Sequence, residues 1–201
     1  MTEIWLIRHG QSTANAGAVT DNPSSIPLTE LGWQQARQVA EQIQYCPDLI
    51  VSSPFIRTTQ TAAPTRCRFY NAKHEIWPIQ EFTYLDPASC IGTTVKQRKG
   101  RVSAYWQQND PDYIDGKGAE SFSMMLIRVR TMLERLADES GLVVVFGHGQ
   151  IMRATQLLQA QPQATDDELM RPQFQMLLLC VSSLASSVSQ LNIRKCSWLR
   201  R

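Results

Sequence analysis

Two short runs of strand-forming residues, far apart in the chain, each end in a histidine beside glycine. The first is Ile4-Trp5-Leu6-Ile7, followed by Arg8-His9-Gly10. The second is Leu142-Val143-Val144-Val145-Phe146, followed by Gly147-His148-Gly149. An apolar run without alternation marks a strand covered on both faces, as in a parallel sheet. Between the runs the spacing turns helical. Ala36, Val39, Ala40 and Ile43 share one face, and Phe122, Met125, Leu126, Val129, Leu133 and Leu136 give an amphipathic helix over residues 121–137. Strand alternating with helix predicts an α/β fold, a three-layer α/β/α sandwich with helices on both faces of a mostly parallel central sheet.

The remaining elements follow from local signals. Leu49 to Val51 reads as a second strand and Ile76 to Ile79 as a third. Ser53 reads as an N-cap, with Pro54 at the first helical position of a helix running to about Ala63, just before Pro64. A helix over about Gln150 to Leu158 follows His148, and the tail adds a last strand. The apolar run Met176 to Val181 is too short for a membrane span and reads as a core segment. Residues 81–118, rich in Gly, Pro, Asp and aromatic side chains, read as a helical and loop excursion over the site. No linker or repeat divides the chain, so residues 1–201 are expected to form one domain, with 81–118 as its cap.

Composition narrows the partners. The chain has 201 residues and a formal net charge of +2, too little for a polyelectrolyte attraction to nucleic acid or acidic lipid. Arg194, Lys195, Arg200 and Arg201 cluster near the end and read as a solvated tail. The five cysteines are odd in number and form no Cys-x-x-Cys pair, so neither a disulfide framework nor a zinc site is expected. Free thiols, and an N-terminal stretch without the basic and long apolar regions of a signal peptide, give a cytoplasmic expectation.

Ligands of parallel sheets bind beyond the carboxyl ends of the strands. Arg8 and His9, Ser52 to Arg57, and His148 each follow a strand, so all should point into one crevice. The chemistry they suit is that of a phosphoryl group. Arg8 and Arg57 offer planar, permanently charged forks for phosphate oxygens, and Arg57 lies near a helix start. His9 is a competent nucleophile in its neutral form, which a cationic pocket favours. His148 could donate a hydrogen bond to charge developing on the transferring group. Glu81, in the partly apolar stretch Ile79-Gln80-Glu81-Phe82, is the candidate acid for the leaving group and base for the attacking water.

These residues resemble the histidine phosphatase superfamily, the group that includes cofactor-dependent phosphoglycerate mutases. The resemblance rests on Arg8-His9-Gly10 with Ser12 and Asn15, Leu28-Thr29-x-x-Gly32-x-x-Gln35-Ala36, Ser52-Ser53-Pro54-x-x-Arg57-Thr58-x-x-Thr61-Ala62, Phe146-Gly147-His148-Gly149 and Gly118-x-Glu120-Ser121. It extends from about residue 4 to about residue 155. It implies a phosphoglycerate mutase-like fold, no metal and no other cofactor. It implies His9 as the phosphorylated nucleophile, Arg8, Arg57 and His148 as the phosphate pocket, Asn15 as a further phosphate-holding group and Glu81 at the acid position.

Departures from the mutase pattern point to a phosphatase. No basic residue follows Glu81 in Phe82-Thr83-Tyr84, and the loop after Asn15 is unlike that of a mutase. The expected activity is therefore hydrolysis of a small-molecule phosphomonoester through a phosphohistidine. A mutase-type phosphoryl transferase and a phospho-ligand binding protein without turnover are the alternatives. His74, between Lys73 and Glu75, reads as an exposed surface histidine. Glu120 reads as part of a helix start, and Tyr105-Trp106 as cover packing. Gly147-x-Gly149 matches a dinucleotide fingerprint only weakly, since Met152 stands at the third glycine position. Specificity is assigned to residues 81–118 and to the loop from Ala16 to Pro27.

Overall fold

The two apolar runs lie side by side at the centre of the sheet. In the computed structural model, which describes residues 2–171 and the backbone of 193–198, β1 (Thr2–Arg8) pairs in parallel with β4 (Gly141–Gly147), Ile7 opposite Phe146. β2 (Leu49–Ser52) lies parallel to β4 on its other side and carries β3 (Lys73–Ile76). β5 (Ile193–Trp198) runs antiparallel along β1, giving the order β3-β2-β4-β1-β5.

Alternate residues of the central strands serve opposite faces. Trp5, Ile7, Ile50, Val144 and Phe146 pack with Val39 and Ala62 of helices α1 (Glu30–Gln42) and α2 (Ile56–Arg68), and with Ile43 at the α1 C-cap. Ile4, Leu6, Val51, Val143 and Val145 pack with Met125, Val129, Ile151 and Ala154. Those residues come from α5 (Phe122–Asp138) and α6 (Gly149–Ala160). The result is the three-layer α/β/α sandwich that continuous apolar strands require. Each side chain of this size taken fully from water stabilises by roughly 1.5–3 kcal/mol. α7 (Asp166–Met170) docks beside α5, its Leu169 and Met170 buried.

Several boundaries differ from the sequence expectation. β3 is Lys73–Ile76 rather than Ile76–Ile79. His74 therefore sits in the sheet, half-buried, with Nε2 3.1 Å from Ser52 Oγ, not out on the surface. Ser53 is not an N-cap: α2 opens at Ile56, and Phe55 precedes it without a side-chain cap. Pro64 does not stop α2, which continues to Arg68. Proline removes one intrahelical bond there, but the face bearing Thr58, Thr61, Ala62 and Thr65 is fully buried, and packing outweighs that local cost. The last strand is present as β5, whereas the run Met176 to Val181 lies outside the described residues.

Residues 81–118 hold the short helix α3 (Pro87–Cys90) and α4 (Lys99–Gln108). Tyr105 and Trp106 are buried against Phe82, Tyr84 and Phe122, as cover packing rather than as an exposed stacking platform. Thr20 forms an isolated antiparallel bridge with Thr93, its N–H 3.0 Å from the Thr93 carbonyl. Arg98 donates to Thr93 Oγ1 at 2.7 Å and to Thr20 Oγ1 at 3.3 Å, tying the loop around Thr20 to this excursion. Among the described residues no helix is long and apolar enough to cross a membrane.

Candidate active site

The parallel register delivers Arg8 and Gly147 side by side at the carboxyl ends of β1 and β4, with Ser52 at the end of β2 on the other side of β4. The chain after β1 must turn at once, and it does so by pressing against the start of α1. A Cβ at Gly10 would lie 2.6 Å from the Gly32 carbonyl oxygen, and one at Gly32 would lie 2.2 Å from that of Gln11. Only glycine fits at either position. The turn is fixed further by Gly10 N–H donating to Thr61 Oγ1 at 3.1 Å and Gln11 N–H donating to Gln35 Oε1 at 2.8 Å. Gly32, Gln35 and Thr61 thus hold the loop in which His9 sits.

His9 is 8% exposed. Its Nδ1 lies 2.7 Å from the Gly10 carbonyl oxygen. A carbonyl only accepts, so Nδ1 carries the hydrogen and Nε2 the lone pair. Arg57 Nε–H donates to that Nε2 at 3.2 Å, and Arg57 Nη1 donates to the Pro23 carbonyl at 2.6 Å. The Arg57 guanidinium also lies 4.8 Å from the Phe55 ring centroid. Arg8 lies against Gly149, where a Cβ would stand 3.5 Å from Arg8 Nε. The ring of His148, wholly buried, lies 5.3 Å from that of His9, edge to face. Its Nε2 is 2.8 Å from Ser53 Oγ, and its Nδ1 has no hydrogen-bond partner among the described residues.

The electrostatics follow from burial and crowded cations. His9 titrates well below its ordinary range, first because burial penalises the charged ring and then because Arg57 and Arg8 repel a further positive charge. The order differs from the sequence expectation, in which the cationic pocket was the stated cause. His148 is pushed down in the same way, with burial foremost and Arg57, His9, Arg8 and Arg128 adding to it. Burial lowers Arg57 to about 10, against the opposing pull of Glu81, so it remains a cation at neutral pH.

Glu81 joins this group from the irregular stretch beyond β3. Its Oε1 accepts from the N–H of Gln150, in the first turn of α6, at 3.3 Å and from its neighbour Phe82 at 3.2 Å. Although the residue is only half-buried, desolvation raises its carboxyl above the ordinary range, outweighing Arg57, Arg8 and the two N–H donors. Asn15 sits apart in an exposed loop. Its Oδ1 accepts from Ser12 Oγ at 2.8 Å and from Ser12 N–H at 3.2 Å.

The structure therefore brings Arg8, His9, Arg57, Glu81 and His148 into one cluster, with Asn15 in the loop that leaves it. Among the described residues no group of three or more His, Cys, Asp or Glu side chains is arranged to hold a metal. Sequence reasoning missed Ser53, which holds His148 rather than capping a helix. It also missed Thr61, and the pair Glu120–Arg128, whose Nη2–Oε1 distance is 2.6 Å. Ser53, Thr61 and Glu120 lay within the matched motifs. Arg128 had no sequence signal of its own.

Comparison with known proteins agrees with this geometry. Residues 4–194 match the model of the histidine phosphatase superfamily, branch 1. An adenosylcobalamin/alpha-ribazole phosphatase of Salmonella typhi is 23% identical over 165 residues, covering 81% of this chain and 82% of that protein. Phosphoglycerate mutase 2 of Saccharomyces cerevisiae is 31% identical over 124 residues, covering 57% of this chain but 40% of that protein. The solved structure of a phosphoserine phosphatase from Entamoeba histolytica, in complex with 3-phosphoglyceric acid, superposes with a TM-score of 0.66. It is 24% identical and the match covers 86% of this chain and 85% of that one.

Proposed function

This chain belongs to the histidine phosphatase superfamily, and from that membership we propose that it hydrolyses a small-molecule phosphomonoester through a phosphohistidine at His9. The observation that carries the proposal is the Arg57 Nε–H directed at His9 Nε2. The nucleophilic lone pair and a phosphate-binding fork meet at one point, in a buried setting that keeps the imidazole neutral.

In the first step a phosphoryl oxygen takes over the Arg57 N–H, and Arg8 neutralises the second anionic oxygen. His9 Nε2 forms a bond to phosphorus as the bond to the ester oxygen breaks. Protonated Glu81 gives its proton to the departing alkoxide. With Ser53 donating its hydroxyl hydrogen to Nε2, His148 carries a hydrogen on Nδ1, the nitrogen left without a partner. That N–H stabilises charge on the transferring group. In the second step water attacks the phosphohistidine, Glu81 takes a proton from it, and inorganic phosphate leaves His9 as it began. Asn15 supplies a further amide donor, because Ser12 occupies its oxygen and turns no acceptor toward the anion. Every step uses groups of the chain itself.

Residues 1–201 act as one domain in this reading, with 81–118 as the cap. The mutase alternative has weaker support. The alpha-ribazole phosphatase matches over most of its length, the mutase over less than half. Among the described residues Arg98 and Arg101 of the cap are committed to Thr93, Cys90, Asp115 and Ser89. Neither is free to grip a second anionic group. The test is a panel of phosphomonoesters assayed for released phosphate with chelator present, and acid-labile label trapped on the wild-type chain but not on His9→Ala. Isomerised substrate in place of free phosphate would establish the mutase. Undiminished turnover by His9→Ala would end the proposal.

A further inference from the structure

Glu81 stands in a stretch without regular structure, residues 77–85, so no strand or helix sets its backbone. Four hydrogen bonds from one ion pair on α5 and its approach do. Arg128 Nη1 donates to the carbonyl of Pro78 at 3.0 Å and to that of Gln80, the residue immediately before Glu81, at 3.2 Å. Glu120 Oε1 accepts from Thr83 N–H at 3.1 Å, and Glu120 N–H donates to the Thr83 carbonyl at 2.9 Å. The two side chains grip each other through two bonds, Arg128 Nε to Glu120 Oε2 at 3.0 Å and Nη2 to Oε1 at 2.6 Å. Both are largely buried, at 16% and 13% exposure.

We propose that Glu120 and Arg128 are positioning residues that hold the Glu81 carboxyl at the leaving group, by clamping the peptides on either side of it. This rests on the acid role given to Glu81 above. A buried charge pair is a poor source of stability, since desolvation consumes most of the attraction. It is a good source of geometry, because a paired guanidinium and carboxylate, each with further hydrogen bonds, have one low-energy arrangement. The other contacts on the stretch fix its depth, not its register. Phe82 is held in the aromatic cluster by packing against Tyr84, Tyr105, Trp106 and Phe122, and such a contact tolerates sliding. Release of the clamp leaves Phe82 in the core and lets the Glu81 carboxyl drift from its bond to Gln150. A shift of about 1 Å in a catalytic group can cost on the order of a hundredfold.

The test separates proton donation from everything else. Values of kcat/KM are measured for a series running from aryl to alkyl phosphates, whose leaving groups range from needing almost no proton to needing one fully. The chains are wild type, Glu81→Gln, Arg128→Leu, Glu120→Gln and each clamp variant combined with Glu81→Gln. Arg128→Leu is expected to lower kcat/KM at least about tenfold for alkyl phosphates and less than about threefold for p-nitrophenyl phosphate. It should add almost nothing once Glu81 is already Gln. Glu120→Gln, which keeps an acceptor for Thr83 but loses the charge pair, should move the same way by less, and it carries the test if Arg128→Leu does not fold. Equal losses for aryl and alkyl substrates, or losses that multiply with Glu81→Gln, would overturn the clamp. A Glu81→Gln chain with no leaving-group dependence would overturn the acid role instead, and the clamp with it.

Discussion

The floor of the site and its acid side are built by opposite means. His9 and His148 leave adjacent strands whose register is set by backbone pairing, and Arg57 sits at the start of the helix that follows β2. Glu81 belongs to a stretch with no ladder and no helix, and it owes its place to side chains from elsewhere. The first half is rigid because its backbone is rigid. The second is only as rigid as one ion pair and a cluster of rings. What must not move, the nucleophile and its cationic fork, is given to the sheet. What meets the variable part of a substrate is given to a segment that can be reshaped without disturbing the sheet.

Disabling the floor should cost most. Arg57→Leu removes the fork that neutralises the phosphoryl group and is expected to lower kcat/KM by roughly a thousandfold on every phosphoester, aryl or alkyl. A loss confined to alkyl substrates would erase the distinction between the two regions. Glu81→Gln should cost about a hundredfold on alkyl phosphates and under about tenfold on p-nitrophenyl phosphate. Steady-state rates on both substrates decide it. Gly32→Ala should unfold the protein more easily by about 2–3 kcal/mol, because the new methyl meets a backbone carbonyl that cannot step aside. Urea denaturation measures this, and an unchanged midpoint would show the turn after β1 to be softer than its contacts imply.

The pH profile sharpens the contrast with the smallest change. His9 must be neutral to attack, and its depressed titration keeps it so well below its ordinary 6.5. Glu81 must be protonated to donate, and its raised titration extends that form upward from the ordinary 4.5. Activity on alkyl phosphates should therefore peak on the acid side of neutrality and fall as pH rises. Glu81→Gln should flatten the falling limb and leave the acid limb in place. Stability runs the other way. His9 and His148 are neutral when folded but bind protons when unfolded below 6.5, so each adds up to ~1.4 kcal/mol of destabilisation per pH unit as the solution is acidified.

The strand-built half was legible in the sequence, and the other half was not. An apolar run ending in Arg8-His9-Gly10 states both its strand and its exit, since burial on two faces leaves no other reading. The same holds for Leu142 to His148. Ser53-Pro54 misled because its local chemistry suits a helix start, whereas the hydroxyl is used across space by His148. Pro64 misled for the converse reason, a local stop signal overruled by tertiary burial. Glu81 was found by residue type and surroundings. Its anchorage was not, because the bond between Arg128 and the Gln80 carbonyl joins residues 48 positions apart and leaves no periodicity behind. Glu120, read as part of a helix start, has its backbone there and its carboxylate elsewhere.

The bridge from Thr20 to Thr93, with Arg98 gripping both, has a practical consequence for redesign. The segment after Asn15 and the excursion beyond Glu81 are not independent cassettes. A transplant of either one from a relative would tear the seam, expose the guanidinium's partners to water and confound any change in substrate preference with a loss of order. Chimeras should carry both pieces from a single donor, and a library that varies one alone should keep Thr20, Thr93 and Arg98 constant.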